Sequence, residues 1–219
     1  MLTGAPKRIF VVDDHPLVRE RLAQLIAQQA DLRVCGEADS ASAALMGLAF
    51  APADLVIVDL SLQDSAGLEL IKALQRLHSS LPVLVLSMHD ESLYAERVFR
   101  AGARGYINKR ESAQKVIDAI RRVLEGKLYV SEKAAEILAG RTMRGTIERP
   151  PIERLSDREL EVFEKLGQGM GTRQISEEFR VSIKTVQAYC ARIKEKLDLG
   201  SATELLREAV RWHDARLSR

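Results

Sequence analysis

The sequence predicts an α/β domain with a doubly wound parallel sheet, followed by an all-α domain. Short strands, apolar throughout, alternate with segments of helical periodicity over the first half of the chain. A stretch rich in Gly, Thr, Arg and Pro, Gly140 to Pro151, breaks that periodicity. Beyond it come helical patterns with repeated capping signals. At 219 residues, the chain is long enough for two modest domains.

Ile9 to Val12, Leu55 to Val58 and Val83 to Leu86 are apolar at every position, as strands covered on both faces require. A weaker strand, Leu32 to Cys35, and a short one, Gly105 to Ile107, complete five βα repeats. The helices between them carry apolar stripes at spacings of 3 and 4: Leu17, Leu22, Leu25 and Ile26, then Ala41, Ala44, Leu45 and Leu48, then Leu68, Leu70, Ile71 and Leu74. The last helix of this half runs roughly from Ser112 to Glu125, and Gly126 closes it.

Right-handed crossovers bring the carboxyl ends of all these strands to one edge, where such sheets bind ligands. The residues there are Asp13 and Asp14 after the first strand, Asp59 after the third, Ser87 after the fourth and Lys109 after the fifth. Three carboxylates at close range stay ionised only with a cation, and hard oxygen donors suit Mg²⁺. A carboxylate in that setting can attack phosphorus, while a lysine and a hydroxyl stabilise the transferred group. The alternative is that Asp13 and Asp14 merely form a strand-to-helix turn before Pro16.

After the break, Ser156-Asp-Arg-Glu159 has capping-box spacing, and Leu160, Val162, Phe163 and Leu166 supply the inward side of the next helix. A second helix from about Arg173 to Phe179 buries Ile175 and Phe179. Ser182 caps a third helix reaching Leu197, with Val186, Ile193 and Leu197 inward. Ser201-Ala-Thr-Glu204 repeats the capping box before a last helix carrying Leu205, Leu206 and Val210. Two short helices with a tight turn before the second are what a helix-turn-helix needs.

Composition bounds the function. With 46% hydrophobic and 29% charged residues the chain is neither disordered nor fibrous. The net charge of +2 argues against a wholesale nucleic-acid coat. That balance hides a local excess: from Arg180 to Lys196 five bases (Arg180, Lys184, Arg192, Lys194 and Lys196) face Glu195 alone. A basic helix of this kind either binds nucleic acid or is simply solvated. Cys35 and Cys190 suit buried thiols in a reducing compartment. No apolar run approaches a membrane span, so the expected location is cytoplasmic.

Val11-Val-Asp-Asp-His-Pro-Leu-Val-Arg19, together with the strand-end set, resembles the receiver domain of two-component response regulators, and the NarL/FixJ subfamily in particular, over residues 5–127. The resemblance implies a flavodoxin-like receiver in which Asp59 accepts a phosphoryl group from a sensor histidine kinase. Asp14, Asp59 and the Ser61 backbone carbonyl would hold Mg²⁺, Asp13 would join the same acidic pocket, and Lys109 would pair with the phosphoryl group. Ser87 and Tyr106 match the switch positions, although Tyr106 also reads as an ordinary strand aromatic with a wet hydroxyl. His89 reads as a surface loop residue and is assigned no metal.

Leu155-Ser-Asp-Arg-Glu-Leu-Glu-Val-Phe163, Ile175-Ser-Glu-Glu-Phe179, Val181-Ser-Ile-Lys-Thr-Val-Gln187 and Ile193-Lys-Glu-Lys-Leu197 resemble the LuxR-type DNA-binding domain over residues 152–215. The resemblance implies that Lys184 and Thr185 contact backbone phosphates of double-stranded promoter DNA, with Gln187, Ala188, Ala191 and Arg192 nearest the bases. It also fits a homodimer on DNA, through a last helix bearing Trp212, unless Trp212 only caps that helix's core. The domain limits expected are 1–127 for the receiver, 128–151 for the linker and 152–219 for the helix-turn-helix domain.

The chain departs from the family pattern at several points. Gln63 replaces a common Pro in the loop that ends in Gly67, Asp64 adds a carboxylate, and Arg110 follows Lys109 where an acidic residue is common. Gln187 and Tyr189 stand where the subfamily usually has Lys and His. A regulator, not an enzyme, is expected. The rival readings are a phosphorylation-independent regulator with a vestigial pocket and an aspartyl-phosphate phosphatase, the latter disfavoured by Ser61 where a second Asp is common.

Overall fold

A computed structural model describes residues 5–62, 67–89, 91–131, 134–135 and 151–217. The chain divides into two compact units, Met1–Arg144 and Gly145–Arg219.

In the first unit β1 (Lys7–Val12), α1 (Pro16–Ala27), β2 (Leu32–Ala38), α2 (Ala41–Phe50), β3 (Leu55–Val58), α3 (Gly67–Leu77), β4 (Val83–Ser87), α4 (Glu91–Arg100), β5 (Gly105–Asn108) and α5 (Ala113–Leu124) alternate strictly. The sheet order is β2-β1-β3-β4-β5 and every pairing is parallel. The order reverses between β1 and β3, which opens a crevice at their carboxyl ends.

Every residue of β3 and of β4 is buried, which is why those strands read as unbroken apolar runs. One face of the sheet packs Ile9, Val11, Leu55, Ile57, Leu84 and Ile107 against Leu22 and Ile26 of α1 and Val116, Ile117 and Ile120 of α5. Burying a side chain of this size contributes roughly 1.5–3 kcal/mol each, enough to fix strand register because a one-residue slip would turn this set outward.

Differences from the sequence reading have physical causes. β2 runs three residues past Cys35 because it is an edge strand whose central residues are only partly buried, so its pattern is not apolar. α4 buries Tyr94, Ala95 and Val98 between charged residues and so lacks the longer stripe that marks the other helices. Leu17, expected inward, is 78% exposed in the first turn of α1, and Val18 packs on the core in its place. Of residues 132–138, whose sequence Glu-Lys-Ala-Ala-Glu-Ile-Leu predicts a short helix, only 134–135 lie among those described, and Gln63 and Asp64 lie outside them.

The second unit begins with a 3-10 turn, Pro151–Arg154, followed by α6 (Asp157–Gly167), α7 (Thr172–Glu178), α8 (Ile183–Leu197) and α9 (Ala202–Leu217). The first capping box forms as expected: Ser156 Oγ accepts from the Glu159 N–H at 3.4 Å, and Glu159 Oε2 accepts from the Ser156 N–H at 2.7 Å. The second is displaced by one residue, since Glu204 Oε2 accepts from Gly200 N–H rather than from Ser201.

Leu160, Phe163, Ile175, Val186, Ile193 and Leu205 form the buried centre of this unit. Phe179 is half-buried, with the Arg158 guanidinium 4.0 Å above its ring. Trp212 meets Phe163 edge-on at 5.5 Å, so it does cap the core. Of the apolar residues carried by the last helix, Leu206 and Val210 are 45% and 36% exposed, and Ala209 takes the buried position between them. No helix among the described residues is long and apolar enough to cross a membrane.

Candidate functional site

The strand ends converge because backbone pairing continues one residue past the strands. Asp13 N–H donates to the Ala38 carbonyl, Asp59 N–H to the Val12 carbonyl and Lys109 N–H to the Ser87 carbonyl, at 2.9–3.1 Å. Asp13, Asp59 and Ser87 are thereby held almost fully buried at one edge. Gly67 tightens the arrangement from below: its N–H donates to the Leu60 carbonyl at 2.9 Å, and a Cβ there would lie 2.2 Å from the Asp59 carbonyl oxygen. Only glycine lets the start of α3 approach this backbone.

Lys109 Nζ bridges the pocket, 2.6 Å from Asp13 Oδ2 and 2.8 Å from Asp59 Oδ2. Burial pushes the Asp59 carboxyl above the ordinary carboxylate range; the Lys109 charge opposes this without cancelling it, and Asp13 adds to it. For Lys109 burial works the other way, yet Asp59 and Asp13 outweigh it and raise its pKa. One lysine does not neutralise three carboxylates.

Asp59 Oδ1 is buried without a hydrogen-bond partner, and the buried Asp14 Oδ1 is met only by the His15 imidazole; such groups are costly unless something charged meets them. Asp13, Asp14, His15 and Asp59 each place one donor atom within 4.8 Å of the others. Oxygen donors of this kind fit Mg²⁺.

Sequence reasoning had passed over His15. Its N–H and Nδ1 approach Asp13 Oδ1 at 2.9 and 3.3 Å, and Nδ1 lies 2.7 Å from Asp14 Oδ1. Arg19 also escaped notice; its Nη1 donates to the Asp13 carbonyl at 2.6 Å. Both belong to the segment that carried the resemblance, so adjacency to the aspartates was the available signal.

The residues expected at the switch positions form a second layer. Ser87 Oγ accepts from the His89 N–H at 3.2 Å, and the fully buried Tyr106 donates its hydroxyl to the His89 carbonyl at 2.7 Å. The hydroxyl is therefore not wet. Asn108 Nδ2 donates to the same carbonyl at 3.1 Å, and His89 Nε2 sits 3.1 Å from Ser61 Oγ with its ring tilted 33° against that of Tyr94, the centroids 4.5 Å apart. His89 thus ties the loop after β3 to the loop after β4, a long-range relation invisible in a linear reading. Arg110 is exposed and donates its N–H to Asn108 Oδ1.

In the second unit α7, a turn and α8 form the helix-turn-helix pattern. The turn passes through Arg180 at φ 51°, a left-handed conformation uncommon outside glycine. Ser182 caps α8 by accepting from the Thr185 N–H at 3.1 Å, and the two hydroxyls lie 2.8 Å apart.

Lys184, Gln187, Ala188, Ala191 and Arg192 are exposed, Thr185 is half-buried, and spacings of 3 and 4 put them on one face. Lys196 is turned away from this set: its Nζ lies 2.6 Å from Glu159 Oε2, so one of the five bases is spent inside the unit. Burial opposes ionisation of Glu159, but Lys196 and the Ser156 N–H prevail and hold the carboxyl below its ordinary range. Gln187 and Ala191 also border an apolar cavity of 480 Å³ shared with Met170, Cys190 and Leu206. Cys35 and Cys190 are free and half-buried, and burial raises both thiols.

Comparison with known proteins agrees with both halves. Residues 9–121 match the response regulator receiver domain, and residues 153–209 match the bacterial regulatory proteins of the luxR family. The chain is 33% identical to the response regulator GacA of Pseudomonas viridiflava over 93% of its own length and 95% of the relative's. It is 36% identical to the transcriptional regulatory protein UhpA of Salmonella typhimurium over 90% of its own length and 94% of the relative's. A solved complex of the two-component response regulator RcsB with DNA aligns at a TM-score of 0.57 and 25% identity, covering 93% of this chain and 97% of that one.

Proposed function

The chain belongs to the two-component response regulators of the NarL/FixJ type, which join a receiver to a LuxR-family DNA-binding domain, and from that premise we propose how its residues work. It is a phosphorylation-controlled, DNA-binding transcriptional regulator. The observation that carries the assignment of its site is the Lys109 bridge between two buried aspartates, one of which, Asp59, keeps its Oδ1 without a hydrogen-bond partner.

Asp59 is the phosphoacceptor. Lys109 holds Oδ2, which leaves Oδ1 to attack phosphorus. As that P–O bond forms, the P–N bond to a histidine of the partner kinase breaks and the imidazole keeps the electron pair. Lys109 then pairs with the phosphoryl oxygens, and Ser87, fixed at the neighbouring strand end, donates its hydroxyl to one of them. Asp13, Asp14, Asp59 and the Ser61 carbonyl would hold Mg²⁺, which when bound offsets charge on the transferring group. Ser87 and Tyr106 change state together because both bond to His89. Moving a receiver from about 1:99 to 99:1 takes roughly 5.5 kcal/mol of differential stabilisation.

The output is promoter DNA, read by α8 with Lys184 and Thr185 on phosphates and Gln187, Ala188, Ala191 and Arg192 toward the bases. Exposed Leu206 and Val210 on α9 support a homodimer on that DNA. Action on DNA places the work in the cytoplasm. Residues 1–127, 128–151 and 152–219 serve as receiver, linker and output.

The test is DNA-site selection by the purified chain with and without acetyl phosphate and Mg²⁺, with the label located by mass. A label on Asp59 and tighter DNA binding in the labelled chain are expected. DNA output unchanged by Asp59→Asn would instead favour a vestigial pocket, and rapid turnover of a small phosphate ester would favour a phosphatase.

A further inference from the structure

The segment that follows α5 is bonded to the two elements that carry the switch. Tyr129 lies beside β5 as a parallel bridge partner of Gly105. Its N–H donates to the Arg104 carbonyl at 3.0 Å, and its own carbonyl accepts from the Tyr106 N–H at 3.0 Å. Two residues on, Ser131 N–H donates to Glu91 Oε1 at 3.1 Å. Ser131 Oγ accepts in turn from the N–H of the buried Ala134 at 3.1 Å. The strand approaches this segment closely: a Cβ on Gly105 would lie 3.1 Å from Tyr129 Cβ and 2.7 Å from Leu84 Cδ1, so any larger residue there would press on both.

Both anchors coincide with the switch. Tyr106 holds Tyr129 through its backbone while its hydroxyl holds the His89 carbonyl. Glu91 opens α4 two residues past His89, whose N–H is bound to Ser87 Oγ. Any displacement of the short chain from Ser87 to Glu91 therefore acts on the Ser131 bond directly. A tie that served only to finish the sheet edge would need Tyr129 but not the carboxylate of α4.

We propose that Tyr129–Ser131 is the mechanical output of the receiver and that Glu91 is the positioning residue that couples it to Ser87. When the Ser87 hydroxyl is drawn toward a phosphoryl group on Asp59, it pulls away from the His89 N–H, Glu91 moves with the loop, and Ser131 is released into the interdomain chain. The inference rests on Asp59 being the phosphoacceptor.

Amide hydrogen exchange on the full chain, with and without acetyl phosphate and Mg²⁺, tests it, mass locating the label on Asp59. The Ser131 amide should exchange about tenfold faster once Asp59 is labelled, as expected for a local opening. In Glu91→Ala it should be equally fast in both states, and Glu91→Gln, which keeps an acceptor oxygen, should restore the dependence. Glu91→Ala should also narrow the difference in affinity between labelled and unlabelled chain, on the duplex that site selection yields, by about fivefold. Labelled Asp59 with Ser131 exchange unchanged or slower overturns the coupling and leaves the phosphoacceptor reading intact. A chain that never takes the label on Asp59 removes that reading and this one with it.

Discussion

The acidic pocket and the outer face of α8 are built on opposite physical plans. In the pocket, residues from four strand ends are drawn out of solvent, and their chemistry is set by one another: burial raises Asp59, two carboxylates raise Lys109, and Asp59 Oδ1 is left without a hydrogen-bond partner. On α8, residues from a single helix stand in water along one face, and none depends on another for its position except through the cap at Ser182. A buried constellation fails as a unit when one member is removed, whereas an exposed face loses affinity residue by residue. The contrast separates a switch from a reader.

The sharpest way to break the comparison is Asp59→Asn. Covalent labelling by acetyl phosphate should vanish, and DNA binding should stay at the level of the unlabelled native chain without tightening when acetyl phosphate is added; mass spectrometry and a DNA titration on the same sample check both. Next comes Gly67→Ala, whose Cβ would strike the Asp59 backbone. It should cost about 1–3 kcal/mol, read as a lower urea midpoint for the receiver, and leave the output unit unchanged.

Glu159→Ala tests whether the reader has a buried dependence of its own. Losing the capping box and stranding Lys196 should cost about 1–2 kcal/mol in thermal or urea unfolding of the output unit. The same pair gives a pH signature. Because the Glu159 carboxyl sits below its ordinary range in the folded state, its contribution is present above the unfolded pKa and lost as pH falls through the folded one. Acid titration of unfolding should show this loss in the native chain and not in Glu159→Ala.

On the exposed face the effects are smaller and graded. Gln187→Ala should relax the preference at one base position by about 1–3 kcal/mol in site selection. Lys184→Ala should weaken every sequence alike and reduce the slope of log affinity against log salt by about 1.

Strand-end chemistry was legible because two rules, apolar runs for covered strands and right-handed crossovers, force the ends together without reference to side-chain detail. His89 was not legible in that way. Its bonds to Ser61, Ser87, Tyr106 and Asn108 join the loops after β3 and β4 to β5, and only the folded sheet brings these within reach. Leu17, Leu206 and Val210 fit a helical stripe by spacing, but periodicity marks a face and does not say how far round the helix the neighbour reaches. Lys196 belongs to the basic run by sequence, yet its ammonium lies 2.6 Å from Glu159 Oε2 inside the unit.

Resemblance to the LuxR-type domain singled out Lys184, Gln187, Ala188, Ala191 and Arg192, whereas the sequence by itself determined the order of elements and the edge at which Asp13, Asp14, Asp59, Ser87 and Lys109 meet. Backbone periodicity and chirality suffice for these. Tertiary structure alone decided which groups pair, which carboxylate oxygens are left bare, and that the chain after α5 is tied to Tyr106 and Glu91. Those outcomes depend on distances across elements far apart in the chain, and burial then fixes the charge each group can carry.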